Sequence, residues 1–227
     1  SIQSYIAFEE GKLIKYAFFD LDGTLTQPEF GILASFRYAL SKFGIELNSR
    51  EDELRLIGPP LYNSFTDFYG FDEEKATEAI KYYREYYTAG GMFDAPLYDG
   101  IYDTCLNLKE NGVKLVVVTS KPQIYAEQVV AYFELDKVFD RVVGPLAESK
   151  VSNKAFLIKR AIEEEGISDL SSVIMLGDRK YDIEAANEVG VASMGASYGY
   201  GSVEELENAN ATYIVNSPSE ILIKLGF

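Results

Sequence analysis

Two aspartates stand two residues apart in the run DLDGTLT, Asp20 and Asp22, followed by Gly23 and Thr24. Paired carboxylates suit proton transfer or the binding of a hard cation, and a glycine directly after them permits a tight backbone turn. Asp-Gly-Thr is also ordinary turn chemistry after a strand, so the pair gains meaning from what else the chain offers. It offers no histidine at all, which removes the Ser-His-Asp and Cys-His arrangements and every imidazole metal ligand. Chemistry here rests on carboxylates, hydroxyls and lysines. With oxygen ligands only, magnesium is the leading metal.

The elements that must position these groups follow from hydrophobic pattern. KLIKYAFFDL holds a short apolar and aromatic run, Tyr16 to Phe19, expected to be a buried strand that ends at Asp20. Residues 1–11 before it show no clear pattern. From Phe30 to Tyr87 the spacing turns helical, through FGILASFRYALSKFGI, EDELRLIG and the Tyr-rich EEKATEAIKYYREYYTAGG, with breaks at Gly58, Pro59 and Pro60 and at Gly90 and Gly91. After Pro96 helices and strands alternate, which argues for an α/β fold with a doubly wound parallel sheet. VVVT and VIML are apolar along their length, as strands covered on both faces should be. In such folds ligands bind beyond the C-terminal strand ends. Asp20 with Asp22, Thr119 with Ser120, and Asp178 each follow such an end, so three distant clusters are expected on one rim.

Composition narrows the partners. A formal charge of −15 disfavours a nucleic-acid polymer or an anionic membrane surface, while a small anion held by local cations or a metal stays possible. Cys105 is the only cysteine, so no intrachain disulfide forms, and its setting in TCLNL suggests core packing. No run of about 18 apolar residues is present. The expected setting is cytoplasmic, as a monomer or homodimer.

The chain resembles the phosphatases of the haloacid dehalogenase superfamily through four motifs in order: DLDGT at Asp20 to Thr24, VVVTS at Val116 to Ser120, a lysine in SKVSNK, and GDRKYD at Gly177 to Asp182. The resemblance implies a Rossmann-like core of residues 1–27 and 96–227 with an all-helical C1 cap of residues 28–95 inserted after the first strand, nearest to phosphoglycolate-phosphatase-like proteins. It implies Mg2+ held by Asp20, Asp178 and the backbone carbonyl of Asp22. Asp20 would be a nucleophile that forms an aspartyl phosphate, and Asp22 the general acid and base. Thr119 and the Ser120 amide would hold phosphoryl oxygens, although Thr119 could instead cap the next helix.

Either Lys150 or Lys154 falls in the window for the family's cation. Lys154 is favoured because a cation at a helix N-terminus opposes the dipole and asks for a functional reason. Asp182 either orients the metal shell, binds Lys154 or caps its own helix. Arg55 could meet a second anionic group of the substrate, against the plainer reading of a solvated arginine. Tyr82, Tyr83, Tyr86 and Tyr87 read as helix packing more than as a stacking surface. Acidic runs around Glu163 to Glu165 and Glu204 to Glu205 read as solvated faces. The expected activity is Mg-dependent hydrolysis of a small phosphorylated metabolite, phosphoglycolate or a nucleoside monophosphate. A phosphomutase of the β-phosphoglucomutase type and a catalytically silent binding protein are the alternatives.

Overall fold

The computed structural model describes residues 13–146 and 153–227. Residues 1–11 and Lys150 therefore lie outside the described residues. Strand β1 (Tyr16–Phe19) comes first, followed by helices α1 (Glu29–Ser41), α2 (Arg50–Arg55), α3 (Leu61–Asn63) and α4 (Glu73–Thr88). The order continues α5 (Ile101–Glu110), β2 (Lys114–Val118), α6 (Gln123–Tyr132), β3 (Arg141–Val143), α7 (Lys154–Glu165) and β4 (Val173–Gly177). It closes with α8 (Lys180–Val189), β5 (Ala192–Ala196), α9 (Val203–Asn208), β6 (Tyr213–Val215) and α10 (Pro218–Leu225).

The strands form one parallel sheet in the order β3-β2-β1-β4-β5-β6. The chain builds outward from β1 to β3, then returns to lay β4 on the other side of β1. That reversal opens a crevice at the C-terminal end of β1. Period-2 alternation sends Ala17 and Phe19 to one face, with Cys105, Leu108 and Val129, and Phe18 to the other, with Ile158, Ala161 and Ala186. Helices thus cover both faces, which is why β1, β2 and β4 read as unbroken apolar runs. Cys105 is fully buried, as its setting in TCLNL suggested, and burial alone pushes its thiol well above the usual range.

The helical segment between β1 and α5 is held by aromatic packing. Phe36 of α1 meets Tyr83 of α4 at 5.0 Å and Phe65 at 5.3 Å, and Phe65 stacks on Phe71 at 5.8 Å. Ser49 and Asp72 cap α2 and α4 by accepting from the amides of Asp52 and Lys75. The sequence reading missed α3, which runs on into a π turn over Ser64–Phe68. Exit and return of the segment lie side by side: the Gln27 amide donates to Pro96 O at 2.7 Å and the Tyr98 amide to Leu25 O at 3.1 Å.

Candidate active site

Backbone pairing sets the rim before any side chain acts. The Asp20 amide donates to Leu176 O at 2.9 Å, carrying the β1–β4 ladder one residue past the strand, and the Thr119 amide donates to Val143 O at 3.0 Å. Beyond Asp20 the chain turns at Gly23, whose φ of 85° is open to glycine and strained for other residues. A Cβ there would also strike the Asp178 carboxylate. The motif's glycine thus lets two loops from neighbouring strands close on each other.

Four charged side chains meet at this rim. Lys154 Nζ lies 3.1 Å from Asp20 Oδ1 and 2.9 Å from Asp182 Oδ1. Asp182 Oδ2 accepts from the Arg179 amide at 3.2 Å, so this residue both binds Lys154 and caps α8. Asp20 Oδ1 also accepts from the Leu21 amide at 2.8 Å; among the described residues no hydrogen bond goes to Oδ2. Asp178 is 1% exposed, with Thr24 Oγ1 donating to its Oδ1 and the Tyr200 amide to its Oδ2.

The electrostatic balance is short of positive charge. Burial pushes the Asp20 carboxyl up to about 7, against the pull of Lys154 and with help from the carboxylates of Asp182 and Asp22. Burial, then Asp182 and Asp20, raise Asp178 well above the carboxylate range. Burial opposes the charge on Lys154, yet Asp182 and Asp20 outweigh it and raise its pKa. Carboxylate oxygens of Asp20, Asp178 and Asp182 lie within 4.8 Å of one another. A compact set of hard oxygen donors with a deficit of cation fits Mg2+. Asp182 is tied to the Lys154 ammonium, whereas among the described residues the Asp178 oxygens accept only from neutral donors, Thr24 Oγ1 and the Tyr200 amide.

Asp22 is held from two sides. Thr26 Oγ1 donates to its Oδ1 at 3.4 Å, and Lys121 Nζ lies 3.0 Å from its Oδ2. Lys121, on the loop after β2, also donates to the Tyr87 hydroxyl of α4. Sequence reasoning passed over Lys121. Its one visible signal was a charged residue directly after the Thr119–Ser120 pair at a strand end.

These groups open into a cleft of about 920 Å³ between the rim and the helical segment. Asp20, Asp22, Ser120, Lys154, Asp178 and Asp182 line it; Thr119 lies buried beneath, its Oγ1 accepting from the Lys121 amide at 3.1 Å. From α4 come Lys81, Tyr83, Arg84 and Tyr87. Tyr83 and Tyr87 stack at 5.5 Å and are buried, so they pack the segment and wall the cleft at once, whereas Tyr86 is exposed and Tyr82 packs on Phe43.

Arg55 is not brought to the cleft: its guanidinium lies 3.3 Å from Asp52 and 4.7 Å over the Phe68 ring. The acidic runs are also more than solvated faces, since Glu165 pairs with Arg141 at 2.8 Å and Glu205 with Arg179 at 3.0 Å. Arg179 in turn donates to Ile57 O of the helical segment at 2.7 Å, a contact no sequence pattern announced. The loop after β5 was also missed; there the Tyr198 hydroxyl donates to Thr24 O at 2.8 Å beside the Tyr200 contact to Asp178. No helix among the described residues is long and apolar enough to cross a membrane.

The model of the haloacid dehalogenase-like hydrolase family matches residues 17–196. A 5'-nucleotidase from Pseudomonas aeruginosa is 37% identical over 195 residues, spanning 86% of this chain and 88% of that protein. Pyrophosphatase PpaX from Halalkalibacterium halodurans is 29% identical over 213 residues, spanning 94% and 97%. The crystal structure of a predicted phosphatase from Clostridium acetobutylicum superposes with a TM-score of 0.89 at 45% identity, covering 94% of this chain and 98% of that one.

Proposed function

Because the chain belongs to the haloacid dehalogenase-like hydrolases and is an enzyme of their phosphatase group, we propose that it hydrolyses a small phosphate monoester through an aspartyl-phosphate intermediate. One observation carries the reading: Asp20 sits at the switch-point rim with Lys154 on one oxygen and, among the described residues, no hydrogen bond to the other, and Asp22 is held two residues on. Asp20 Oδ2 attacks phosphorus, the ester P–O bond breaks, and Asp22 gives its proton to the leaving oxygen. Water then attacks the phosphorus of the acyl phosphate, Asp22 takes back a proton, and Asp20 is released with inorganic phosphate. Thr119, the Ser120 amide and Lys154 hold the non-bridging oxygens. Asp20, Asp178 and the Asp22 carbonyl would hold Mg2+, which when bound offsets the repulsion between an anionic nucleophile and an anionic phosphate.

Residues 28–95 act in this reading as a cap that selects substrate over the core of residues 1–27 and 96–227. The cleft is roomy, in the upper part of the range of about 300–1,000 Å³ usual for small-molecule sites, and its aromatic walls support a nucleoside monophosphate over phosphoglycolate. The similarity to a 5'-nucleotidase supports the same choice. The test is phosphate release from a panel of nucleoside monophosphates, phosphoglycolate and pyrophosphate with Mg2+. Wild type releases phosphate only with the metal, and Asp20→Asn loses about 10⁴-fold or more in kcat. Release that survives the substitution excludes the acyl-phosphate route.

A further inference from the structure

The proton-transfer residue of that scheme is not free to choose its own position. Asp22 Oδ1 is met by Thr26, which belongs to the same loop, but Oδ2 is met by Lys121 from the loop after β2. The Lys121 side chain is 7% exposed, an unusual depth for a lysine, and depth of this kind is tolerated where a partner charge is held close. Its ammonium also donates to the Tyr87 hydroxyl and lies 4.5 Å from the centre of that ring. Tyr87 is itself fixed, stacked on Tyr83 at 5.5 Å and edge-on to Tyr125 at 5.9 Å. A chain of contacts therefore runs from helix α4 through Tyr87 and Lys121 to Asp22.

The geometry points to Lys121 as a positioning residue: it fixes the Asp22 carboxyl for proton transfer and, through Tyr87, makes that position depend on the seating of α4 over the rim. The inference rests on the assignment of Asp22 as proton donor. Placement matters at this scale, since a misplacement of about 1 Å can cost about 10²-fold in rate. Lys121 donates to Asp22 and Tyr87, and the scheme above assigns the phosphoryl oxygens to Thr119, Ser120 and Lys154. A residue that acts through a general acid reveals itself by leaving group. An alkyl ester needs its departing oxygen protonated, whereas 4-nitrophenolate departs unaided.

The experiment compares kcat/KM for a nucleoside monophosphate and for 4-nitrophenyl phosphate in wild type, Asp22→Asn, Lys121→Met, Lys121→Gln, Lys121→Arg and Tyr87→Phe, with melting curves to confirm folding. Lys121→Met is expected to lose about 10²-fold on the alkyl ester and less than about 10-fold on the nitrophenyl ester. Lys121→Gln and Tyr87→Phe follow the same bias more weakly, and Lys121→Arg regains part of the loss. In an Asp22→Asn background, Lys121→Met adds nothing further. Equal losses on both esters, or a raised KM with kcat intact, would overturn the inference and make Lys121 a phosphate ligand. If Asp22→Asn itself shows no leaving-group bias, the fault lies with the assignment of Asp22; if it shows the bias and neither Lys121→Met nor Lys121→Gln does, the fault lies with Lys121 alone.

Discussion

The rim of the sheet and the helical segment above it reach the same cleft by different physical means. At the rim, Asp20, Thr119 and Asp178 are placed by strand register, each following the last residue of its strand, with the amides of Asp20 and Thr119 bonded to neighbouring strands. In the segment, position comes from ring packing among Phe36, Phe65, Phe71 and Tyr83 and from long side chains reaching down. Register tolerates little drift, because a one-residue slip turns every side chain to the other face. Aromatic packing has many near-equivalent solutions. The rim half of the cleft is therefore fixed by topology, while the helical half is adjustable by side-chain choice.

Three substitutions probe that contrast. The largest effect is expected from Asp178→Asn, which keeps the volume and a carbonyl oxygen but removes the charge. Phosphate release should fall about 10³-fold, and the rise in melting temperature that Mg2+ gives wild type should vanish. An unchanged metal response would remove Asp178 from the metal set. Next comes Gly199→Ala, on the loop after β5, where a Cβ would strike Gly23 O and the Asp178 side chain. A loss of about 1–3 kcal/mol in urea unfolding is expected, with activity falling alongside. Full activity at reduced stability would mean that the rim absorbs strain and is not held rigid by topology. The smallest effect belongs to Arg55→Ala in the segment. Its ion pair with Asp52 is about two-fifths exposed on each side, so stability should move by no more than about 0.5 kcal/mol and activity by less than about 2-fold. A drop of tenfold or more in kcat/KM would show that the segment swings far enough to deliver that guanidinium.

The same contrast explains what the sequence made legible. Continuous apolar strands announced the parallel sheet, and carboxylates just past their ends announced the rim. Lys154 stood out because a cation at a helix start asks for a partner, and Asp20 and Asp182 are that partner. Lys121 stayed hidden because its partners, Asp22 and Tyr87, are distant in the chain and no local spacing joins them. The helical stretch of residues 61–68 escaped notice because a three-residue turn running into a π turn has no 3.6-residue stripe to display. Helix α9 is only six residues long, and its N-cap, Ser202 accepting from the Glu205 amide, went unread in the sequence. Glu205 looked like part of a solvated run since nothing local shows that Arg179 lies against it.

The contact between Arg179 and the Ile57 carbonyl has a consequence for how this sequence can change. A hydrogen bond to a main-chain oxygen does not sense the side chain attached to it, so the grip places no demand of its own on identity at position 57. The demand falls one residue later, on Gly58, whose φ of 119° disfavours any side chain and whose added Cβ would sit 3.1 Å from the Arg179 guanidinium. Substitutions at position 57 can thus accumulate without loosening this contact to the rim, provided that Gly58 stays bare.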